Sequence, residues 1–259
     1  MLAIGGSDSG GGAGVQADIK TITALGGYAA SAITAVTVQD TRGVHAIHPI
    51  PPPVIVAQIR AVLADIGADA IKTGMLGDAA AIEAVAEALA EWPDIPLVVD
   101  PVMVASSGAT LIGEGGLGPL RRLIARAALV TPNAPEAEAL TGIAVATTDD
   151  LRRAGEMLLT SGVRAVLMKG GHVPGDSVID LLMTPAGETT LEGARIATRH
   201  THGTGCTLAS ACAVGLAQGL RLEEAVARAW AYVGEAIRRA PGFGAGVGPL
   251  DHAWPVRDR

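Results

Sequence analysis

A single three-layer α/β/α domain with a mostly parallel central sheet is the fold class this sequence predicts. Short β-branched runs alternate with Ala/Leu/Glu/Arg stretches of helical period. The runs are apolar throughout, as strands covered on both faces require. No internal repeat, charge block or low-complexity linker divides the 259 residues, a length one α/β domain commonly reaches. A chain of this size buries roughly three quarters of its extended surface, so core size sets no limit.

Leu-Ala-Ile at 2–4 is the first strand and gives way to paired glycines; helical period resumes over 13–25, past the glycine run at 10–12. Residues 31–38, rich in Ile, Val and Thr, read as the second strand. A proline run then leads into a helix over 53–65, proline being tolerated in a first turn. The apolar run 70–75 is the third strand, followed by an Ala/Glu-rich helix over 79–92 and the strand 97–99. The alternation continues through a helix at 116–127, a strand at 129–131, a helix at 148–161 and a strand at 163–168. Residues 178–183 and 189–197 then read as a hairpin around Ala186-Gly187, and helices over 205–218 and 222–240 complete the domain, taken as 1–259.

Composition narrows the function. Aromatics are 2% of residues, too few for stacking single-stranded bases on exposed rings. The net charge of −7 disfavours a polyanionic partner, so no nucleic acid is expected and positive charge acts locally. The start MLAIGGSDSGGG lacks a basic region and a long apolar stretch, so no signal peptide is expected. The most apolar run, 208–217, is about half the length a membrane span needs. Cys206 and Cys212 lie six residues apart in one helical stretch, where a disulfide would be strained, and no CxxC or His-rich spacing indicates a metal cage. A reduced, cytoplasmic protein is expected.

Ligands of parallel sheets bind beyond the carboxyl ends of the strands. There the sequence places Gly5-Gly6-Ser7-Asp8, Gln39-Asp40, Asp100-Pro101, Thr131-Pro132-Asn133 and Lys169-Gly170-Gly171-His172. His202-Gly203-Thr204-Gly205-Cys206-Thr207 opens an apolar helix. Its glycines permit close backbone approach, and the helix start offers unpaired N–H groups to an anion such as a transferring phosphate. Cys206, at the positive helix end, is expected to have a lowered pKa and to accept a proton from an attacking hydroxyl; a capped turn with a small buried cysteine is the plainer reading. Cys212 reads as core.

The run Gly10 to Gly14 is neither a Walker A loop nor a dinucleotide fingerprint, because no Gly-Lys-Ser/Thr ends it and residue 15 is valine. Lysine is scarce, with three against sixteen arginines. Lys169, at a strand end before two glycines, is placed to reach a phosphate or to sit solvated; Lys72, inside an apolar pattern, reads as a buried structural charge. Asp100, with Asn133 and Glu136, suits Mg²⁺ held through its waters, while Asn133 and Glu136 also read as a helix capping box. Gln39 offers an amide to a heterocycle edge and Met75 a thioether to its face, or core packing.

The stretches AIGGSDSGGGAGVQADIKT (3–21), TAVTVQDTRGV (34–44), KTGML (72–76), VVDPVM (98–103), TPNAPEAEAL (131–140), VLMKGGH (166–172) and THGTGCTLASA (201–211) resemble the hydroxymethylpyrimidine/phosphomethylpyrimidine kinases, as does GVGPLDHAW (246–254). The resemblance implies a ribokinase-like fold and two successive transfers of the ATP γ-phosphate in thiamine biosynthesis. The acceptors are 4-amino-5-hydroxymethyl-2-methylpyrimidine (HMP) and then its monophosphate. It implies that Gln39 bonds the aminopyrimidine while Gly6, Asp18, Met75 and Val102 line the same pocket. Gly203, Thr204, Gly205 and Cys206 form the anion hole, with Cys206 as base. Lys169 touches ATP phosphates, and Asp100, Asn133 and Glu136 organise Mg²⁺. A homodimer is implied too. Ser-Asp-Ser-Gly-Gly-Gly stands where many members have Asp-Pro-Ser-Gly-Gly, so the first glycine loop is expected to be looser. A pyridoxal kinase of the same cysteine-bearing subgroup and a non-catalytic pyrimidine sensor are the alternatives. Adenine is expected near 198–202 or the helix from Leu222.

Overall fold

The computed structural model describes residues 1–104, 111–113 and 115–258. Leu2, Ala3 and Ile4 of β1 (Leu2–Asp8) are all fully buried, Leu2 and Ile4 in one core and Ala3 in the other. The same two-sided burial marks β4 (Ile71–Thr73), β5 (Leu97–Val99), β6 (Leu129–Val130) and β7 (Val166–Met168). Period two divides their side chains: Leu97, Val99, Val130 and Val166 enter one core, while Val98, Leu129 and Leu167 enter the other. The first core is covered by α2 (Pro52–Asp65), α3 (Ala79–Leu89), α4 (Leu117–Ile124), α5 (Ala134–Thr141) and α6 (Thr148–Thr160). The second is covered by α1 (Gly14–Ala24), α7 (Thr204–Ala217) and α8 (Leu222–Arg238), with the short α9 (Trp254–Arg257) after them.

With β2 (Ala30–Asp40), β3 (Gly43–Pro49), β8 (Ser177–Thr184) and β9 (Gly187–Ala194), the strands form one nine-stranded sheet. Its order is β3-β2-β1-β4-β5-β6-β7-β8-β9. The six strands from β2 to β7 in that order are parallel, and antiparallel strands flank them at both edges. Among the described residues no helix is long and apolar enough to cross a membrane.

The α/β/α layers agree with the expectation; several boundaries do not. β3 is absent from the sequence reading because none of its residues is buried, so no apolar periodicity marks it. Its turn is set by Asp40, whose Oδ1 accepts the Arg42 and Gly43 N–H groups at 2.7 and 3.1 Å, and this carries β2 on through Gln39 and Asp40. β1 likewise runs through Gly5–Asp8 instead of stopping at Ile4, with a register shift against β2 between Gly5 and Ser7. The eight residues of α5 are too short for a helical period to show, although its start was legible.

Candidate active site

One cleft of about 760 Å³ opens over the carboxyl ends of the parallel strands, and Gly6, Asp18, Gln39, Met75, Asp100, Val102, Asn133, Glu136, Lys169 and the run Gly203, Thr204, Gly205, Cys206 all line it. Its first region is the α7 N-terminus. Gly203 precedes α7 with φ +82, and a Cβ there would overlap the Gly12 carbonyl oxygen, so only glycine lets the chain turn against the α1 loop. Thr204, Gly205 and Cys206 form the first turn, whose N–H groups have no partner within the helix; that of Thr204 donates to the Thr201 carbonyl at 3.2 Å.

The second region faces that turn. Lys169 Nζ lies 2.8 Å from Asp100 Oδ1 and 3.8 Å from Glu136 Oε2. Measured from where a Cβ of Gly205 would sit, Lys169 Nζ is 3.1 Å away and Asp100 Oδ2 is 3.6 Å away. The helix start, the lysine and the aspartate therefore converge on one point. Thr131 Oγ1 donates to Asp100 at 3.0 Å. Burial pushes the Asp100 carboxyl up, but the Lys169 and Lys72 charges outweigh it and hold the group below its ordinary value. Asn133 Oδ1 accepts the Glu136 N–H at 2.9 Å, and Glu136 Oε2 accepts the Asn133 N–H at 2.8 Å, a complete capping box. Burial then raises Glu136 to about 7, with Lys169 opposing and Asp100 adding to the rise.

These groups fit a hydrated divalent cation. Among the described residues no three His, Cys, Asp or Glu side chains cluster closely enough to hold a metal. Asp100 and Glu136 share one lysine and face the cleft, which suits Mg²⁺ bound through its own waters beside phosphates.

The third region is built on β1 and β2. Gln39 stands at the end of β2, and the Met75 sulfur lies 3.0 Å from where a Cβ of Gly6 would sit; Val102 lines the same cleft. Asp8, which the sequence reading did not assign, organises this end. Its carboxylate accepts the N–H groups of Gly10 (2.8 Å), Gly12 (3.0 Å) and Ala13 (2.8 Å) and meets His202 Nε2 at 2.9 Å. Ser9 Oγ donates to the Gln39 carbonyl at 2.7 Å and accepts its N–H at 2.8 Å. The loop expected to loosen without proline is thus tied by six hydrogen bonds.

Asp18, expected to line the ring pocket, is among the cleft residues and fully buried, with oxygens 2.8 and 3.0 Å from Lys72 Nζ and 2.7 Å from Ser210 Oγ. Lys72, itself fully buried, is held in its charged form by Asp18 against the cost of burial. One expectation is corrected, that for Cys206. Its thiol is pushed up to about 11, not down: burial dominates, the Lys72 charge opposes it, and Asp100 and Asp18 reinforce it. Lys72 and the Gly14 backbone N–H favour the thiolate, but burial together with Asp100 and Asp18 outweighs them.

Val178, Ile196, Trp230 and Ile237, on β8, α8 and the chain after β9, also line the cleft, with Asp180, Arg195 and Arg238 from the same stretches. Sequence reasoning pointed to 198–202 and the helix from Leu222, of which Thr201, His202 and α8 line the cleft; β8 and β9 carry no motif. His202 and Asp8 had a weak signal: each adjoins a glycine turn.

A family model described as phosphomethylpyrimidine kinase matches residues 8–251. The hydroxymethylpyrimidine/phosphomethylpyrimidine kinase of Streptomyces coelicolor is 49% identical over 257 residues, covering 99% of this chain and 95% of that protein. The thiamine biosynthesis bifunctional protein of Geobacter sulfurreducens is 49% identical over 263 residues; it covers 100% of this chain, which spans 54% of that protein's length. Among solved structures, the ADP complex of Bacillus subtilis pyridoxal kinase matches with a TM-score of 0.92 and 34% identity, over 100% of this chain and 98% of that one.

Proposed function

The chain belongs to the phosphomethylpyrimidine kinase family, and on that premise we propose that it transfers the γ-phosphate of ATP first to the hydroxymethyl oxygen of HMP and then to the resulting monophosphate. The product, HMP diphosphate, serves thiamine biosynthesis. The observation that carries this reading is the convergence of the α7 N-terminus, Lys169 with Asp100, and Cys206 on one part of the cleft. Phosphoryl transfer asks mainly for alignment and charge stabilisation, which the Gly205 and Cys206 N–H groups and a fixed ammonium supply.

In this reading Gln39 bonds the aminopyrimidine edge while Gly6, Met75 and Val102 pack on the ring. The hydroxymethyl group then points toward Cys206. Residues 203–206 receive the moving phosphoryl group, and Lys169 turns from Asp100 toward the ATP phosphates. The ADP complex of a similar kinase supports ATP as donor, and the apolar side chains of Val178, Ile196, Trp230 and Ile237 suit its base. Asp100 and Glu136, steadied by Asn133, would hold Mg²⁺ through water; when bound, it neutralises charge on the phosphates. The oxygen–phosphorus bond to the acceptor forms as the bond to the β–γ bridging oxygen breaks, and the hydroxyl proton passes to Cys206 in its thiolate form.

Incubation with HMP and Mg-ATP should yield mono- and diphosphorylated HMP by mass spectrometry; absence of both products overturns the reading. The fold match to a pyridoxal kinase favours pyridoxine as a second acceptor. Specificity constants should rank HMP above pyridoxine, and the reverse order would make this a pyridoxal kinase. A single cytoplasmic domain and a homodimer complete the reading. Exposed Val36 and Val38, on one face of the edge hairpin, offer an apolar strip to a second copy, and the mass in solution measures that association.

A further inference from the structure

Beside Gln39 lies a hydrogen-bond chain that the reaction as described does not use. His202 Nε2 is 2.9 Å from Asp8 Oδ2 and 3.2 Å from the Gln39 side-chain nitrogen. Burial pushes the Asp8 carboxyl up, but the His202 hydrogen bond and the Ala13 and Gly10 N–H groups outweigh it and keep the group ionised. A carboxylate only accepts, so the imidazole proton on this side sits on Nε2. A nitrogen that donates has no lone pair left for the Gln39 NH₂ group.

The other end of the amide meets the same constraint. Thr37 Oγ1 is 2.9 Å from the Ser7 carbonyl oxygen and 3.2 Å from Gln39 Oε1. Its one hydrogen goes to the nearer carbonyl, so lone pairs face Gln39. Both neighbours therefore favour the same orientation: NH₂ toward the Thr37 lone pairs, and the carbonyl oxygen toward His202, where it shares the one Nε2 hydrogen that Asp8 accepts at the shorter distance. A half-turn of the amide reaches it with the other atoms in place. One lone pair and one N–H then remain side by side at the cleft, in a fixed order.

We infer that His202, pinned by Asp8, is a positioning residue that sets the order of acceptor and donor on the Gln39 amide, and through it the preference for a ring edge pairing an amino group with a bare ring nitrogen. This rests on the reading of Gln39 as the group that meets the substrate ring. A ring edge lacking that donor–acceptor pair, such as that of pyridoxine, gains nothing from the fixed order.

The test compares kcat/KM for HMP and for pyridoxine in wild type, Gln39→Ala, His202→Leu, His202→Gln and the double variant Gln39→Ala/His202→Leu. His202→Leu should reduce the preference for HMP about tenfold, mainly through KM. His202→Gln, which carries a donor at the position of Nε2, should retain the preference within about twofold. In the Gln39→Ala background His202→Leu should change the preference no further. An unchanged preference in His202→Leu, with Gln39→Ala lowering it, overturns the positioning role, as do additive losses in the double variant. An unchanged preference in Gln39→Ala itself overturns the ring-reading role instead. Should His202→Leu fail to fold, Thr37→Val tests the same orientation from the other end: a several-fold loss supports it and no loss overturns it.

Discussion

Cys206 shows what a residue's neighbours do to chemistry inferred from its place in the chain. A thiol at about 11 carries its proton at neutral pH, so proton acceptance depends on the small ionised fraction. That fraction grows with pH below the pKa. Turnover of HMP should therefore rise about tenfold per pH unit between pH 7 and 9. Cys206→Ala should abolish that slope and lower the first transfer by roughly 10²–10⁴-fold. The second acceptor attacks through a phosphate oxygen already ionised, and its rate should depend far less on Cys206. A flat profile in wild type, or equal losses on both acceptors, removes the thiolate from the mechanism. The position of Cys206 at a helix start was legible from its flanking glycines. Its acidity was not, because it depends on burial and on the charges of Lys72, Asp18 and Asp100, brought in from three distant parts of the chain.

At the scale of elements, the α7 N-terminus depends on a contact between two turns. Gly203 has φ +82 and abuts the carbonyl of Gly12, so the turn before α7 and the loop before α1 fix each other. Gly203→Ala should push them apart and misdirect the N–H groups of Gly205 and Cys206. Losing such a donor costs roughly 10²–10³-fold in kcat, and that loss is expected with the far-UV circular dichroism unchanged. Activity within about threefold of wild type would show that these N–H groups do not hold the phosphoryl group. The Asn133–Glu136 capping box is a local motif as well and could be read directly. The edge strand β3 could not: a strand without a buried face leaves no hydrophobic period, and its turn rests on the Asp40 side chain.

Across the whole molecule, the sheet and both helices beneath the cleft are joined by one buried ion pair. Lys72 of β4 meets Asp18 of α1, and Ser210 of α7 bonds the same carboxylate. Lys72→Met strands that carboxylate in the core and should lower stability by about 3–5 kcal/mol, roughly 10 °C in melting temperature. Lys72→Met/Asp18→Asn should recover part of the loss. A melting temperature within about 2 °C of wild type for Lys72→Met would mean that the pair contributes little. The chain by itself determined the alternation of strands and helices, the parallel sheet, the glycine turn before α7 and the cap on α5, because each depends on residues a few positions apart. Tertiary structure decided the acidity of Cys206, the pairing of Asp18 with Lys72 and Ser210, and the meeting of Asp8 with His202, 194 positions apart. Burial and long-range pairing depend on what distant segments bring to a point, and no local pattern in the sequence encodes that.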